Sequence, residues 1–111
     1  MQFLLLIYEN EQRFSNGYDP GEMGEYQAFG KEFANNIKGG NALQPTATAK
    51  SVRVRNGKSA ITDGPFAETK EQLGGFYLIE AKNADEASKI GARIPGARFG
   101  TIEVRPIMTF E

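Results

Sequence analysis

Histidine and cysteine are both absent from this 111-residue chain, and each absence removes a body of chemistry. Without histidine, no side chain has an unperturbed pKa near neutrality. Acid–base work would therefore fall to a perturbed carboxylate, lysine or tyrosine. Without cysteine there are no disulfides, thiolate nucleophiles or thiolate metal ligands. Ser–His–Asp and Cys–His arrangements are excluded, and so in effect is a catalytic zinc, which relies on nitrogen or sulfur ligands. Neither a metal nor another cofactor is expected. An excess of one charge sign is also missing. Thirteen Lys and Arg stand against 14 Asp and Glu, interspersed, for a net charge of −1. No basic surplus is available to track a phosphate backbone, so direct nucleic-acid binding is not expected. Long apolar runs are lacking too: the longest is Phe3 to Tyr8, far short of the ~20 residues that span a bilayer. No basic segment precedes it and no small-residue cleavage site follows. The expectation is a soluble cytoplasmic protein without membrane contact. The glycines at 21, 24 and 30 lie along a predicted helix, so no phosphate-cradling loop follows a strand.

What is present fits one domain over residues 1–111, with 40% hydrophobic and 24% charged residues. Gln2 to Tyr8 (QFLLLIY) predicts a strand buried on both faces. Glu9 to Tyr18 is polar and predicts a loop. Asp19-Pro20-Gly21-Glu22 opens a helix, with Asp19 as cap, Pro20 at the first position and Glu22 completing a capping box. Met23, Tyr26, Gly30, Phe33 and Ile37 then form an apolar stripe, and Gly39-Gly40 supplies a left-handed end. Leu43 to Thr48 predicts a short edge strand. Ser51 to Arg55 alternates, and Asn56-Gly57 predicts a two-residue hairpin turn that pairs Arg55 with Lys58 and Val52 with Ile61. Asp63-Gly64-Pro65-Phe66 breaks the second hairpin strand, and Ala67 to Leu73 is irregular. Phe76 to Ala81 is a strand with large apolar residues on both faces. Asn83 and Glu86 form another capping box, opening a helix that points Ala87, Ile90, Gly91 and Ile94 inward. Pro95-Gly96 stops it, and Thr101 to Ile107 closes the domain as a strand. The order predicts an α+β, ferredoxin-like (split βαβ) sandwich with an added β-hairpin.

Two helices can cover only one face of such a sheet. Leu4, Leu6 and Tyr8 nevertheless alternate with Phe3, Leu5 and Ile7, and Phe76 and Leu78 alternate with Tyr77 and Ile79. Both faces are apolar, and leaving one wet costs ~1.5–3 kcal/mol per large side chain relative to burial. A second copy laid face to face is the expected cover, a long loop folded over the sheet being the alternative.

The string from Ile61 to Tyr77 (ITDGPFAETKEQLGGFY) resembles the YCII-related family, specifically its DGPF-domain branch. The likeness extends through Leu43-Gln44-Pro45, Val52 to Arg55, Ile79-Glu80-Ala81, Asp85-Glu86-Ala87 and Glu103 to Ile107. The resemblance implies a dimeric α/β-barrel built from two ferredoxin-like subunits. It implies a His–Asp pair in a cleft, and for some relatives an elimination on ring compounds. It also implies a regulatory setting beside sigma factors of the extracytoplasmic-function type. Asp63 matches the family aspartate, whereas the histidine has no counterpart, so the pair does not carry over.

Asp63 is the candidate catalytic residue. An aspartate opening a turn usually bonds an N–H two or three residues on, but Pro65 has none. The carboxylate therefore caps Phe66 or Ala67, or stands free as a general base or ligand anchor in an apolar cleft. Candidate ligand-binding residues around it are Phe66 as an apolar wall, Lys70 on a lid-like loop, and Tyr8 and Tyr77 as phenols at a cleft edge. Each has a plainer reading: loop anchor, solvated charge and core aromatics. Three roles remain open: a homodimeric domain binding a small molecule or protein partner, a cofactor-free lyase or isomerase, and a structural module without ligand.

Overall fold

In the computed structural model, which describes residues 1–110, the N-terminal apolar run forms β1 (Gln2–Glu9) at the interior of an antiparallel sheet. Its neighbours are β5 (Gln72–Glu80) and β6 (Thr101–Pro106), and β2 (Ile37–Ala42) borders β5, giving the order β2-β5-β1-β6. With α1 (Pro20–Glu32) between β1 and β2 and α2 (Ala84–Ala92) between β5 and β6, this is a ferredoxin-like split βαβ arrangement.

Period-two alternation sorts β1 between two environments. Phe3, Leu5 and Ile7 are buried under the helices with Phe29, Ile79, Ala87, Ile90 and Ile94. Leu4, Leu6 and Tyr8 point the other way and are half-buried, beside Phe76 and Leu78 on β5. Among the described residues, no helix packs on that second face. The molecule is accordingly one helix layer on one sheet, 19 Å through its thin dimension.

The hairpin follows the predicted register throughout. β3 (Lys50–Arg55) and β4 (Lys58–Asp63) pair Arg55 with Lys58 and Val52 with Ile61. Asn56 and Gly57 both take positive φ, +53° and +77°, as a type I′ turn requires. The two strands form a sheet of their own, with no more than marginal contact to the other strands and helices.

Four local expectations are corrected. Asp19 does cap α1, its Oδ1 accepting from Gly21 N at 3.2 Å. Glu22, however, closes no capping box; its buried carboxylate takes Arg13 instead. The inward stripe is Glu22, Tyr26, Phe29 and Phe33, and Met23 is exposed. A reading confined to apolar residues skips an inward-facing glutamate and so lands one position out. Gly39-Gly40 does not end the helix. α1 stops at Glu32, and a turn tied down by Asn36 Nδ2 donating to Glu80 O at 2.9 Å leads into β2. The two glycines lie within that strand, where a Cβ on Gly40 would stand 2.6 Å from Phe76 O. Gly40 thus permits close strand approach, whereas a Cβ on Gly39 would meet nothing within 4 Å. Finally, the edge strand is Ile37–Ala42 rather than Leu43 to Thr48. Pairing ends with Leu43 N donating to Gly74 O, and Pro45, which lacks an N–H, introduces a short 3-10 turn at Thr46–Thr48.

The second helix meets its expectation: Asn83 Oδ1 accepts from Glu86 N at 2.9 Å, and Ala87, Ile90 and Gly91 are buried. Glu86 completes the cap one residue early, accepting from Lys82 N at 3.3 Å. No helix among the described residues is long and apolar enough to cross a membrane.

Candidate functional site

The Asp63-Gly64-Pro65-Phe66 turn leaves the base of the hairpin. Asp63 lies directly across from Lys50, and their side chains form an ion pair. The Asp63 side chain is 83% exposed, so a single subunit does not enclose it in an apolar pocket. Its carboxylate takes Lys50 rather than the N–H of Phe66 or Ala67. The turn is instead held by the backbone and by Ser51. Gly64, at φ +90°, donates N–H to Ala49 O at 2.7 Å, and Ser51 Oγ donates to Gly64 O at 2.8 Å. Phe66 is 81% exposed and walls nothing within its own chain.

Tyr8 and Tyr77 part company. Tyr77 lies opposite Leu5 on the helix side and packs against Phe29 with the rings tilted, centroids 5.0 Å apart. Tyr8 belongs to the helix-free side. The strand parity that separates Leu5 from Tyr8 places these phenols on opposite faces of one sheet, so they share no cleft inside a subunit. Burial raises the Tyr77 pKa.

Lys70 does line a recess, of about 330 Å³, with Asn10, Glu11, Gln12, Thr69 and Gln72. Three chain segments are tied together around it. The Glu11 carboxylate accepts from Thr46 N (2.7 Å) and Thr46 Oγ1 (2.8 Å), and Glu11 N donates to Gln72 Oε1 (2.9 Å). Asn10 Oδ1 accepts from Gln12 N (2.9 Å) and Gln72 Nε2 donates to Thr69 O. The acceptors facing this recess are thus largely occupied. Among the described residues, the Lys70 ammonium and the side-chain NH₂ groups of Asn10 and Gln12 make no hydrogen bond, and of the side-chain acceptors in the lining the Gln12 amide oxygen is left without one.

Directly behind the Asn10–Gln12 wall lies an ionic cluster that sequence reasoning missed. Arg13 reaches Glu9 Oε2 at 2.6 Å and Glu22 Oε1 at 2.8 Å. Both carboxylates are buried. The guanidinium also covers the rings of Phe99 at 4.0 Å and Phe14 at 4.5 Å. Burial pulls the Arg13 pKa down, but hydrogen bonds and charge from Glu22 and Glu9 outweigh it and leave the value raised. A signal for this cluster existed. The alternation that buries Phe3, Leu5 and Ile7 puts Glu9 inward as well, and an inward carboxylate four residues before an arginine demands a partner.

Tyr26 completes the cluster, its hydroxyl accepting from Gly96 N at 3.2 Å. Burial first and the charge of Glu9 second push its pKa up to about 12, against an ordinary value of 10. The neutral phenol is favoured in the fold, so its contribution is complete below pH ~10 and is lost as pH rises toward ~12. Denaturant titrations across that window should show stability falling, with a shallower fall in Tyr26→Phe. An equal slope in the two proteins would contradict the assignment.

Comparison with known proteins adds three findings. A family model described as the YCII-related domain matches residues 1–111. An uncharacterized protein of Rhizobium meliloti (strain 1021) is 35% identical over 118 residues, covering 100% of this chain and 95% of that protein. Among solved structures, 5-chloro-2-hydroxyhydroquinone dehydrochlorinase of Burkholderia phenoliruptrix, in complex with 2,5-dihydroxybenzoquinone, superimposes with a TM-score of 0.61 at 15% identity. The match covers 97% of this chain and 94% of that one. At that identity the likeness is one of fold.

Proposed function

The chain belongs to the YCII-related family, and from that premise we propose that it is a cytoplasmic homodimer that binds a small organic anion in the recess beside Lys70. One observation carries this reading: the recess is walled by tethered segments whose acceptors are largely spent internally, while the Lys70 ammonium and the Asn10 and Gln12 amide donors make no hydrogen bond among the described residues. A ligand bearing carboxylate or phenolate oxygens supplies the acceptors those groups lack. The Asp63 turn leads into the segment that holds Thr69 and Lys70, so occupancy of the recess is coupled to the position of that turn. A regulatory role beside a sigma factor would use the occupied state as its signal.

A second reading is favoured by the dehydrochlorinase of similar fold. Here Asp63, released from Lys50, acts as general base in a cofactor-free lyase or isomerase reaction, removing a proton from a bound ring compound.

A thermal-shift screen with benzoates, hydroxybenzoates and 2,5-dihydroxybenzoquinone tests both. A ligand present at a hundred times its Kd stabilises by ~2.7 kcal/mol, which raises Tm by on the order of 10 °C in a domain of this size. The shift should vanish in Lys70→Ala. If Asp63 is a base, Asp63→Asn keeps the shift but abolishes turnover. No shift with any compound, or an undiminished shift in Lys70→Ala, overturns the assignment of the recess.

A further inference from the structure

The hairpin has two unlike sides. Val52, Val54 and Ile61 lie on one, with Lys50 and Asp63 at its base. Ser51, Arg53 and Arg55 lie on the other, across from Thr62, Ala60 and Lys58. The charges of this second side are all positive. Arg55 stands directly opposite Lys58, in a pairing that sets Cβ atoms about 5 Å apart, and Arg53 follows two residues along the same face. All three are exposed, and none joins an ion pair among the described residues. The one carboxylate of the arm, Asp63, is on the apolar side and is held by Lys50. Like charges set directly across a ladder destabilise it, here in a two-stranded ribbon that is marginal in water to begin with. Such a local conflict points to a counter-charge supplied by a partner. The balanced total that argues against nucleic-acid binding averages over this separation. Residues 50–63 hold four basic side chains (Lys50, Arg53, Arg55, Lys58) against one acidic (Asp63), and the rest of the chain holds nine against 13. The arm also stands clear of the body: the radius of gyration is 15.9 Å, against about 13 Å for a compact chain of this length.

We propose that the Arg53–Arg55–Lys58 face of the arm binds the phosphate backbone of double-stranded DNA, without regard to base sequence. The chemistry of the face selects the occupant. A protein partner needs apolar surface to bury at the centre of the contact, and this face offers only the methyl group of Ala60. Single-stranded nucleic acid is held by bases stacked on aromatic rings, and residues 50–63 include no aromatic side chain. What remains, guanidinium and ammonium donors beside Thr62, is the set that contacts phosphate oxygens. Shape agrees. Two strands about 4.8 Å apart make a ribbon that the major groove of B-DNA, about 12 Å wide, admits. The deep, narrow major groove of duplex RNA does not. Along β3, Arg53 and Arg55 are two residues and so about 7 Å apart, a spacing that lets each take its own phosphate. The acidic remainder of the chain is repelled by the duplex, which turns the molecule arm foremost. The apolar side of the arm, the recess and Asp63 take no part, so the proposal is independent of the small-anion reading.

Fluorescence anisotropy of a short labelled DNA duplex of mixed sequence, titrated with the full chain, tests this. For each arm engaged, affinity should fall about fortyfold between ~50 and ~200 mM NaCl, a log–log slope of about −2.7 from three phosphates at about 0.9 each. Arg53→Gln should make the slope about one unit shallower. Arg53→Gln, Arg55→Gln and Lys58→Gln together should abolish binding. Far-UV circular dichroism should stay unchanged in that protein, because the three side chains are exposed and outside the core. Lys31→Gln, Lys38→Gln and Lys89→Gln together remove the same charge from exposed positions elsewhere, and at ~100 mM salt, where charges more than about 10 Å away are screened, they should leave the affinity within about threefold of wild type. No binding at low salt, an equal loss in the two triple variants, or tighter binding to single-stranded DNA or duplex RNA overturns the proposal. Binding to poly-L-glutamate or to phosphatidylglycerol vesicles as tight as to the DNA duplex overturns it as well.

Discussion

Arg13→Met should lower the unfolding free energy by about 3–5 kcal/mol, the usual cost of removing one partner from a buried ionic group, as measured by urea denaturation. The size follows from geometry. Arg13 spans two carboxylates whose side chains are only 6% and 9% exposed, and its own is 27% exposed. Methionine fills comparable space but leaves Glu9 and Glu22 facing each other without a counter-charge. The Arg98–Glu25 pair, with both side chains about half exposed, provides the contrast: solvent screens it, and Arg98→Met should leave the denaturation midpoint close to that of the wild type. Arg13→Lys should recover only part of the loss, because a single ammonium lacks the guanidinium fork. Adding Glu9→Gln and Glu22→Gln to Arg13→Met should restore much of the stability, since the penalty lies in the unpaired charge. If Arg13→Met falls within 1 kcal/mol of wild type, Arg13 is no clamp.

Gly100→Ala should be nearly as damaging, by about 3 kcal/mol, with the shift in Tm as readout. A methyl group there would lie 2.0 Å from the Tyr8 carbonyl oxygen and 2.9 Å from Glu9 Cγ. Backbone cannot swing aside as a flexible side chain can, so the end of β1 or the start of β6 must move. Gly24→Ala is the matched control. That glycine is exposed within α1 and a Cβ on it would meet nothing within 4 Å. Alanine should therefore stabilise the helix by up to ~1 kcal/mol. Similar outcomes for the two glycines would show that the close approach at Gly100 carries no weight.

Both substitutions act where β1 ends, and that region was the least legible in the sequence. Strong local signals translated well. Asn56-Gly57 determined the hairpin register residue by residue, Asn83 capped α2, and alternation in β1 separated a helix-covered face from an uncovered one. Local signals failed where tertiary partners decide. Gly39-Gly40 has the chemistry of a helix end, but the demand that Gly40 answers is the nearness of Phe76 and Tyr77 on the neighbouring strand. Glu22 has the spacing of a capping box, yet an arginine nine residues earlier offers a stronger partner. The recess draws on residues 10–12 and 69–72, so only Lys70 was foreseeable, through its neighbourhood to the Asp63 turn. Asp63 itself showed its turn geometry in the Gly64-Pro65 sequence, while its pairing with Lys50 emerged only from the register of the hairpin.

The position of β1 between β5 and β6 imposes a delay on the chain as it is made. Residues 3–8 leave the ribosome long before either neighbour: Leu4 pairs with Leu78 on one side and Arg105 on the other. At ~5–20 residues per second, several seconds pass before the flanking strands are synthesised. Through that interval the stickiest stretch of the molecule has no native strand to join. Cells making this protein quickly should depend on a holding chaperone, and inclusion bodies should diminish when translation is slowed or one is co-expressed.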